Sequence, residues 1–91
     1  METRFTQRFS KDIDKLPLDE AGIRAALAEL IERVEAAETL RGLSGVKKLQ
    51  GHASAYRLRL GDYRVGIFLV EGVVEFARVV HRRDIYKVFP K

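Results

Sequence analysis

The sequence predicts an α+β fold: a small, mostly antiparallel four-stranded sheet with two N-terminal helices on one face, in the order β-α-α-β-β-β. Three observations carry this. Apolar residues recur at helical spacing only in the first half of the chain. Three runs rich in β-branched and aromatic residues follow in the second half. Each break between those runs is two residues long and contains a glycine, the pattern of a tight hairpin. At 91 residues, with no repeat or linker, residues 1–91 read as a single domain.

The elements follow in order. Thr3 to Phe9 alternates, with Phe5 and Phe9 on one side and Arg4 and Arg8 on the other, which predicts a short strand. Ser10 is then placed to cap a helix over Lys11–Leu16, with Asp12 in its first turn and Pro17 as its stop. Asp19 is the next expected N-cap. The helix after it carries Ile23, Leu27, Leu30, Ile31, Val34 and Ala37 on one face. Gly42 and Gly45 open a loop that runs to Gly51. The β-runs are Ser54–Leu60, Tyr63–Val70 and Val73–Val80, separated by Gly61-Asp62 and Glu71-Gly72. The tail from Arg82 to Phe89 is a helical turn or an extended edge, with Ile85 and Phe89 spaced to anchor it.

Composition narrows the function classes. There is no cysteine, so disulfides and thiolate metal sites are excluded. No acidic cluster or paired histidines point to a metal, and no cofactor is expected. No apolar run approaches the ~18 residues of a membrane span, and the N-terminus lacks a signal-peptide core, so a cytoplasmic protein without a membrane partner is expected. Residues 1–45 hold seven Lys/Arg against nine Asp/Glu, while residues 46–91 hold ten against four. The second half is thus a cation of +6, suited to a polyanionic partner.

Register sharpens that statement. A two-residue turn at Gly61-Asp62 sets Leu60 opposite Tyr63, Arg59 opposite Arg64, Leu58 opposite Val65 and Arg57 opposite Gly66. One face then collects Tyr56, Leu58, Leu60, Tyr63, Val65, Ile67 and Leu69, and packs under the helices. The other collects Arg57, Arg59 and Arg64. Such arginines are either ordinary solvated charge or a phosphate site, for which the bidentate guanidinium fork is suited. Asp62 and Glu75 are the acids near enough to neutralise them. The second turn sets Arg78 on the core face, unless a β-bulge moves it to the open one.

Four stretches stand together: Phe9-Ser10-Lys11-Asp12 with Lys15-Leu16, Leu49-Gln50-Gly51, Tyr56-Arg57-Leu58-Arg59-Leu60-Gly61-Asp62-Tyr63-Arg64-Val65, and Val80-His81-Arg82-Arg83-Asp84-Ile85-Tyr86. In these the sequence resembles the RelE/ParE toxins of type II toxin–antitoxin modules. The resemblance implies a RelE-like fold and a toxin that cleaves mRNA on the ribosome without a metal, inhibiting translation. The ParE branch, which poisons DNA gyrase without nuclease chemistry, is the alternative. By position Arg57, Arg59, Arg64, Arg82 and Tyr86 match the family's catalytic residues. His81 joins them as an acid or base if it points inward, since it alone titrates near neutrality there. Lys47, Lys48, Arg83 and Lys87 are expected to bind RNA phosphates. Arg57 and Arg59 stand where the best-known RelE enzymes have lysines, and arginine does not lose its proton, so a lysine-as-base mechanism does not transfer. Either Arg82 or Arg83 can face the site. The expected partners are a cognate antitoxin, mRNA and the ribosome.

Overall fold

A computed structural model describes residues 1–17 and 22–90. Five strands form one sheet in the order β1-β5-β4-β3-β2: β1 (Glu2–Phe5), β2 (Val46–Lys48), β3 (Ala55–Leu60), β4 (Tyr63–Val70) and β5 (Val73–His81). Three helices accompany it: α1 (Gln7–Asp14), α2 (Ile23–Ala36) and the four-residue α3 (Ile85–Val88). β1 runs parallel to β5, and the other pairs are antiparallel. The class is the expected one, with one strand more than anticipated. Val46–Lys48 lies in the stretch expected to be loop. Its three residues include two exposed lysines, a common dressing for a sheet edge and a poor periodic signal.

The N-terminal boundary also moves. The strand ends at Phe5, and Thr6, not Ser10, caps α1: its hydroxyl oxygen accepts the Phe9 N–H at 3.1 Å. The expected strand through Phe9 is therefore half helix. The two phenylalanines still meet, with ring centroids 5.8 Å apart, because a spacing of four serves both periods. Asp12 consequently sits near the helix C-terminus rather than in its first turn, and it is buried. Its Oδ2 accepts the backbone N–H of Val79 at 3.0 Å and Nε of Arg78 at 2.8 Å, while Oδ1 accepts Nη2 of Arg78 at 3.1 Å. The carboxylate takes over the β5 edge where β1 stops, since β1 pairs only as far as Phe76. α2 is preceded by Gly22 at φ 84°; the expected cap at Asp19 lies outside the described residues.

Both hairpin turns are the two-residue turns expected, and the β3–β4 pairs are the predicted ones, Arg59 opposite Arg64 included. In the second turn Glu71 and Gly72 both have positive φ, 51° and 80°, the demand of a tight type I′ connection. A bulge then shifts the β4–β5 register between Gly66 and Ile67. It sets Val79, not Arg78, opposite Val65, so Arg78 leaves the core face and meets Asp12.

The main core lies between α2 and the sheet and includes Leu27, Leu30, Val34, Leu58, Val65 and Phe76. A second, smaller cluster occupies the opposite face, where Ile85 and Phe89 pack with Leu49, Ala55 and Ala77. The face anticipated as open is thus partly covered by α3 and the residue after it. No helix among the described residues is long and apolar enough to cross a membrane.

Candidate nucleic-acid interface

The β3–β4 hairpin builds the site. In β3 the side chains alternate, so Leu58 and Leu60 enter the main core while Arg57 and Arg59 stand on the other side. Arg64 opposes Arg59 from β4. Its Nη1 donates to the carbonyl oxygens of Gly61 and Tyr63, both at 2.8 Å. The intervening carbonyl, that of Asp62, accepts the backbone N–H of Arg82 at 2.8 Å. Three consecutive turn carbonyls therefore fix the Arg64 guanidinium and the strand exit that carries Arg82. Gly61, at φ 58°, gives the turn the positive first position that a side chain resists.

Electrostatics ties these groups together. The guanidinium of Arg64 has its pKa lowered first by burial, then by the charges of Arg57, Arg59 and Arg82, while Tyr86 acts in the opposite sense. These are the five residues that the family resemblance singles out, and each of the other four lies near enough to act on Arg64. Among the described residues the ion pairs are Arg4–Glu75, Arg78–Asp12 and Lys87–Asp84, so none of the four clustered arginines is neutralised. Glu75, one of the two acids considered for that role, is taken by Arg4 at 3.0 Å. Nε of Arg57 and Nε of Arg64 are buried and make no hydrogen bond among the described residues. Such donors cost free energy until an acceptor reaches them, and a phosphate oxygen is an acceptor of matching charge.

The remaining expected residues divide. Lys47 pairs across from Arg57 and extends the basic row to the β2 edge. Lys48 pairs with Tyr56, on the opposite face, beside a groove lined by Leu40, Val46 and Leu69. His81 pairs with Tyr63, and its ring stands edge-on to that tyrosine at 5.6 Å between centroids. It therefore lies on the face opposite the arginines, and the condition set for it as acid or base is not met. Its Nδ1 accepts the Arg83 backbone N–H at 3.1 Å, a bond that shapes the turn after β5. Arg82 is among the charges acting on Arg64 and Arg83 is not. Arg83 and Lys87 are exposed, with Lys87 Nζ 3.6 Å from Asp84. Tyr86 is 58% exposed on α3. Sequence reading passed over Gly66, whose signal was available: a lone glycine inside a β-branched strand marks a close approach.

Among the described residues no group of three His, Cys, Asp or Glu side chains is arranged to hold a metal ion. What the site offers is a cluster of permanent cations within electrostatic reach of an exposed phenol. Such a cluster can bind a phosphodiester and stabilise charge that develops on it.

Comparison with known proteins bears on family and fold. The family model described as ParE toxin of type II toxin-antitoxin system, parDE, matches residues 3–86. Toxin RelE3 of Methanocaldococcus jannaschii is 35% identical over 91 residues, spanning 99% of this chain and 100% of that protein. The fold is similar to the RelB-RelE antitoxin-toxin complex from Methanococcus jannaschii, with a TM-score of 0.78 and 34% identity over 94% of this chain and 98% of that one. It is also similar to the toxin-antitoxin complex RelBE2 from Mycobacterium tuberculosis, with a TM-score of 0.61 and 27% identity over 89% and 96% of the two chains. A match across nearly the whole length, in sequence and in fold, identifies this chain as a member of the RelE/ParE family, the toxins of type II toxin–antitoxin systems.

Proposed function

We propose that this toxin is an endoribonuclease that cuts ribosome-bound mRNA by using the RNA's own 2′-OH as the nucleophile. The observation that carries the reading is the un-neutralised cluster of Arg57, Arg59, Arg64 and Arg82 with Tyr86 beside it. In this reaction the 2′-oxygen bonds to the adjacent phosphorus and the bond from phosphorus to the 5′-oxygen breaks. One proton leaves the 2′-OH and one arrives on the departing 5′-oxygen. The products are a 2′,3′-cyclic phosphate and a 5′-OH end. The protein must align attack and departure, and stabilise charge on the phosphoryl oxygens.

Arg57, Arg59 and Arg64 bind the scissile phosphate and its developing charge. Buried, unpartnered Nε donors on two of them suit a bidentate grip. Arg82 stabilises the departing oxygen. Tyr86 stacks on a base or carries a proton with its hydroxyl. None of the arginines serves as a base, because a guanidinium stays protonated at any working pH. Lys47 continues the phosphate track at the edge of the sheet.

A cognate antitoxin completes the system. Two of the similar structures are complexes with an antitoxin. An acidic segment of such a partner would match the basic face.

The test is to add the purified protein to translating ribosomes and map mRNA 5′ ends. Codon-phased ends bearing 5′-OH groups are expected from the wild type. Arg64→Ala should cut about 10²–10³-fold more slowly, the usual loss for one donor to a developing oxyanion. Intact mRNA with the wild type overturns the reading. The match to a ParE toxin model favours a second reading, a gyrase poison. Blocked DNA supercoiling together with intact mRNA would establish that one.

A further inference from the structure

Gly66 sits in the middle of β4, between Arg57 on one neighbouring strand and Arg78 on the other. Its φ is not in the positive region, so alanine suits its backbone. Space is what the position lacks. A Cβ there would lie 2.6 Å from Cγ of Phe89 and 2.7 and 2.8 Å from its two Cδ atoms. The phenyl ring therefore lies flat on the Gly66 backbone. Backbone and ring positions at such distances do not coexist with a methyl group, and an ordinary contact begins near 3.4 Å.

Phe89 is the anchor of the tail. It is buried, its ring centroid lies 5.0 Å from that of Phe68, and its N–H donates to the Ile85 carbonyl at 2.8 Å. Ile85 is fully buried in the same cluster. Tyr86 lies between these two anchors in sequence and projects outward on the same short helix. A four-residue helix has little rigidity of its own. The placement of Tyr86 relative to the arginine cluster is thus set by how Ile85 and Phe89 seat on the sheet.

We propose that Gly66 is a positioning residue of the cleavage site, its missing side chain forming the seat for Phe89 that holds Tyr86 beside the arginine cluster. This rests on the nuclease reading of Tyr86 and Arg64. A methyl group at Gly66 must lift Phe89 by nearly an ångström, from 2.6 Å to ordinary contact. Displacement on the order of 1 Å at a reacting group costs about 10²-fold in rate.

Two measurements test it together. In the ribosome assay, Gly66→Ala should cut about 10²-fold more slowly. The double variant Gly66→Ala with Phe89→Leu should recover at least roughly tenfold of that loss, since a branched aliphatic chain can yield where a flat ring cannot. Phe89→Ala should show a loss like that of Gly66→Ala. It removes a side chain from the smaller cluster and leaves the main core intact, so it serves where Gly66→Ala does not fold. The second measurement is the Nε–H NMR signal of Arg64, a group within electrostatic reach of Tyr86. Gly66→Ala and Tyr86→Ala should both move it, and the double variant should return it towards the wild-type position. Cleavage within threefold of wild type in Phe89→Ala, or an unmoved Arg64 signal in folded Gly66→Ala, overturns the proposal. A wild type that leaves mRNA intact while the NMR coupling holds overturns the nuclease reading alone.

Discussion

Arg59→Gln is expected to stabilise the free protein while weakening its hold on RNA. Arg59 stands directly opposite Arg64 in the β3–β4 register, and neither is neutralised by an acid among the described residues. Directly opposed like charges cost ~0.2–1 kcal/mol in a sheet. Arg59 is exposed, so solvent screening puts the cost at the low end, about 0.2–0.5 kcal/mol. For a domain near this size that corresponds to a rise in melting temperature of roughly 1–4 °C. The same change removes one phosphate contact, so the slope of log affinity for RNA against log salt should become shallower by about 1. Thermal unfolding followed by circular dichroism, at low ionic strength and again at 1 M salt, reads the first effect. At 1 M the screening length falls to ~3 Å and the difference between variant and wild type should vanish. A lower melting temperature for Arg59→Gln at low salt would refute the reasoning. So would a difference that survives 1 M salt, because then it does not arise from charge.

Three further outcomes follow from the same geometry. Asp12→Ala should cost about 3–5 kcal/mol in denaturant unfolding, because it strands a mostly buried guanidinium and the Val79 N–H together. That loss should be constant from about pH 6 to about pH 9. The hydrogen bonds to Asp12 raise the pKa of Arg78, so the arginine's contribution is fully present below the ordinary guanidinium range and fades only above it. His81→Gln should retain cleavage within about threefold, since the ring lies on the face away from the arginines. A tenfold loss would return His81 to the chemistry. Lys47→Ala should reduce the salt slope of RNA binding by about 1, and Lys48→Ala should leave it unchanged, as only Lys47 shares the arginine face.

The three C-terminal strands were legible from their composition, and the pairing of Arg57, Arg59 and Arg64 because the turn at Gly61-Asp62 sets a β3–β4 register without a bulge. Counting outward from Gly61-Asp62 was sufficient. The N-terminal boundary was not legible, because Phe5 and Phe9 are four apart and that spacing is a multiple of the strand period and close to one helical turn. By residue type the expected cap, Ser10, is as good an N-cap as Thr6, the one the helix uses. β2 was missed since three residues with two lysines carry no periodicity. The face of Arg78 hung on one bulge, which sequence allowed and did not require. His81 followed from the same bulge: parity sets it on the core face once Val79 opposes Val65. The approach of Arg82 and Tyr86 to the site depended on the path of the tail. The spacing of Ile85 and Phe89 indicated that it was anchored, and only the seat at Gly66 indicated where.

The parallel pairing of β1 with β5 joins residues 71 positions apart, and Asp12 reaches Arg78 across 66. The β3–β4–β5 meander, by contrast, closes through neighbouring turns. The face of Arg57, Arg59 and Arg64 is therefore assembled from local contacts. Helix α1, meanwhile, packs against β5, a strand far along the chain from it, while α2 finds partners on β3 as well. Loop closure over such distances must be met before its contacts are gained. β1 has its only strand partner among the described residues in β5, so that edge of the sheet closes only when β5 is in place. The order of the strands thus makes closure of the β1–β5 edge the long-range step of folding, while the hairpin that carries Arg57, Arg59 and Arg64 closes through its own turn.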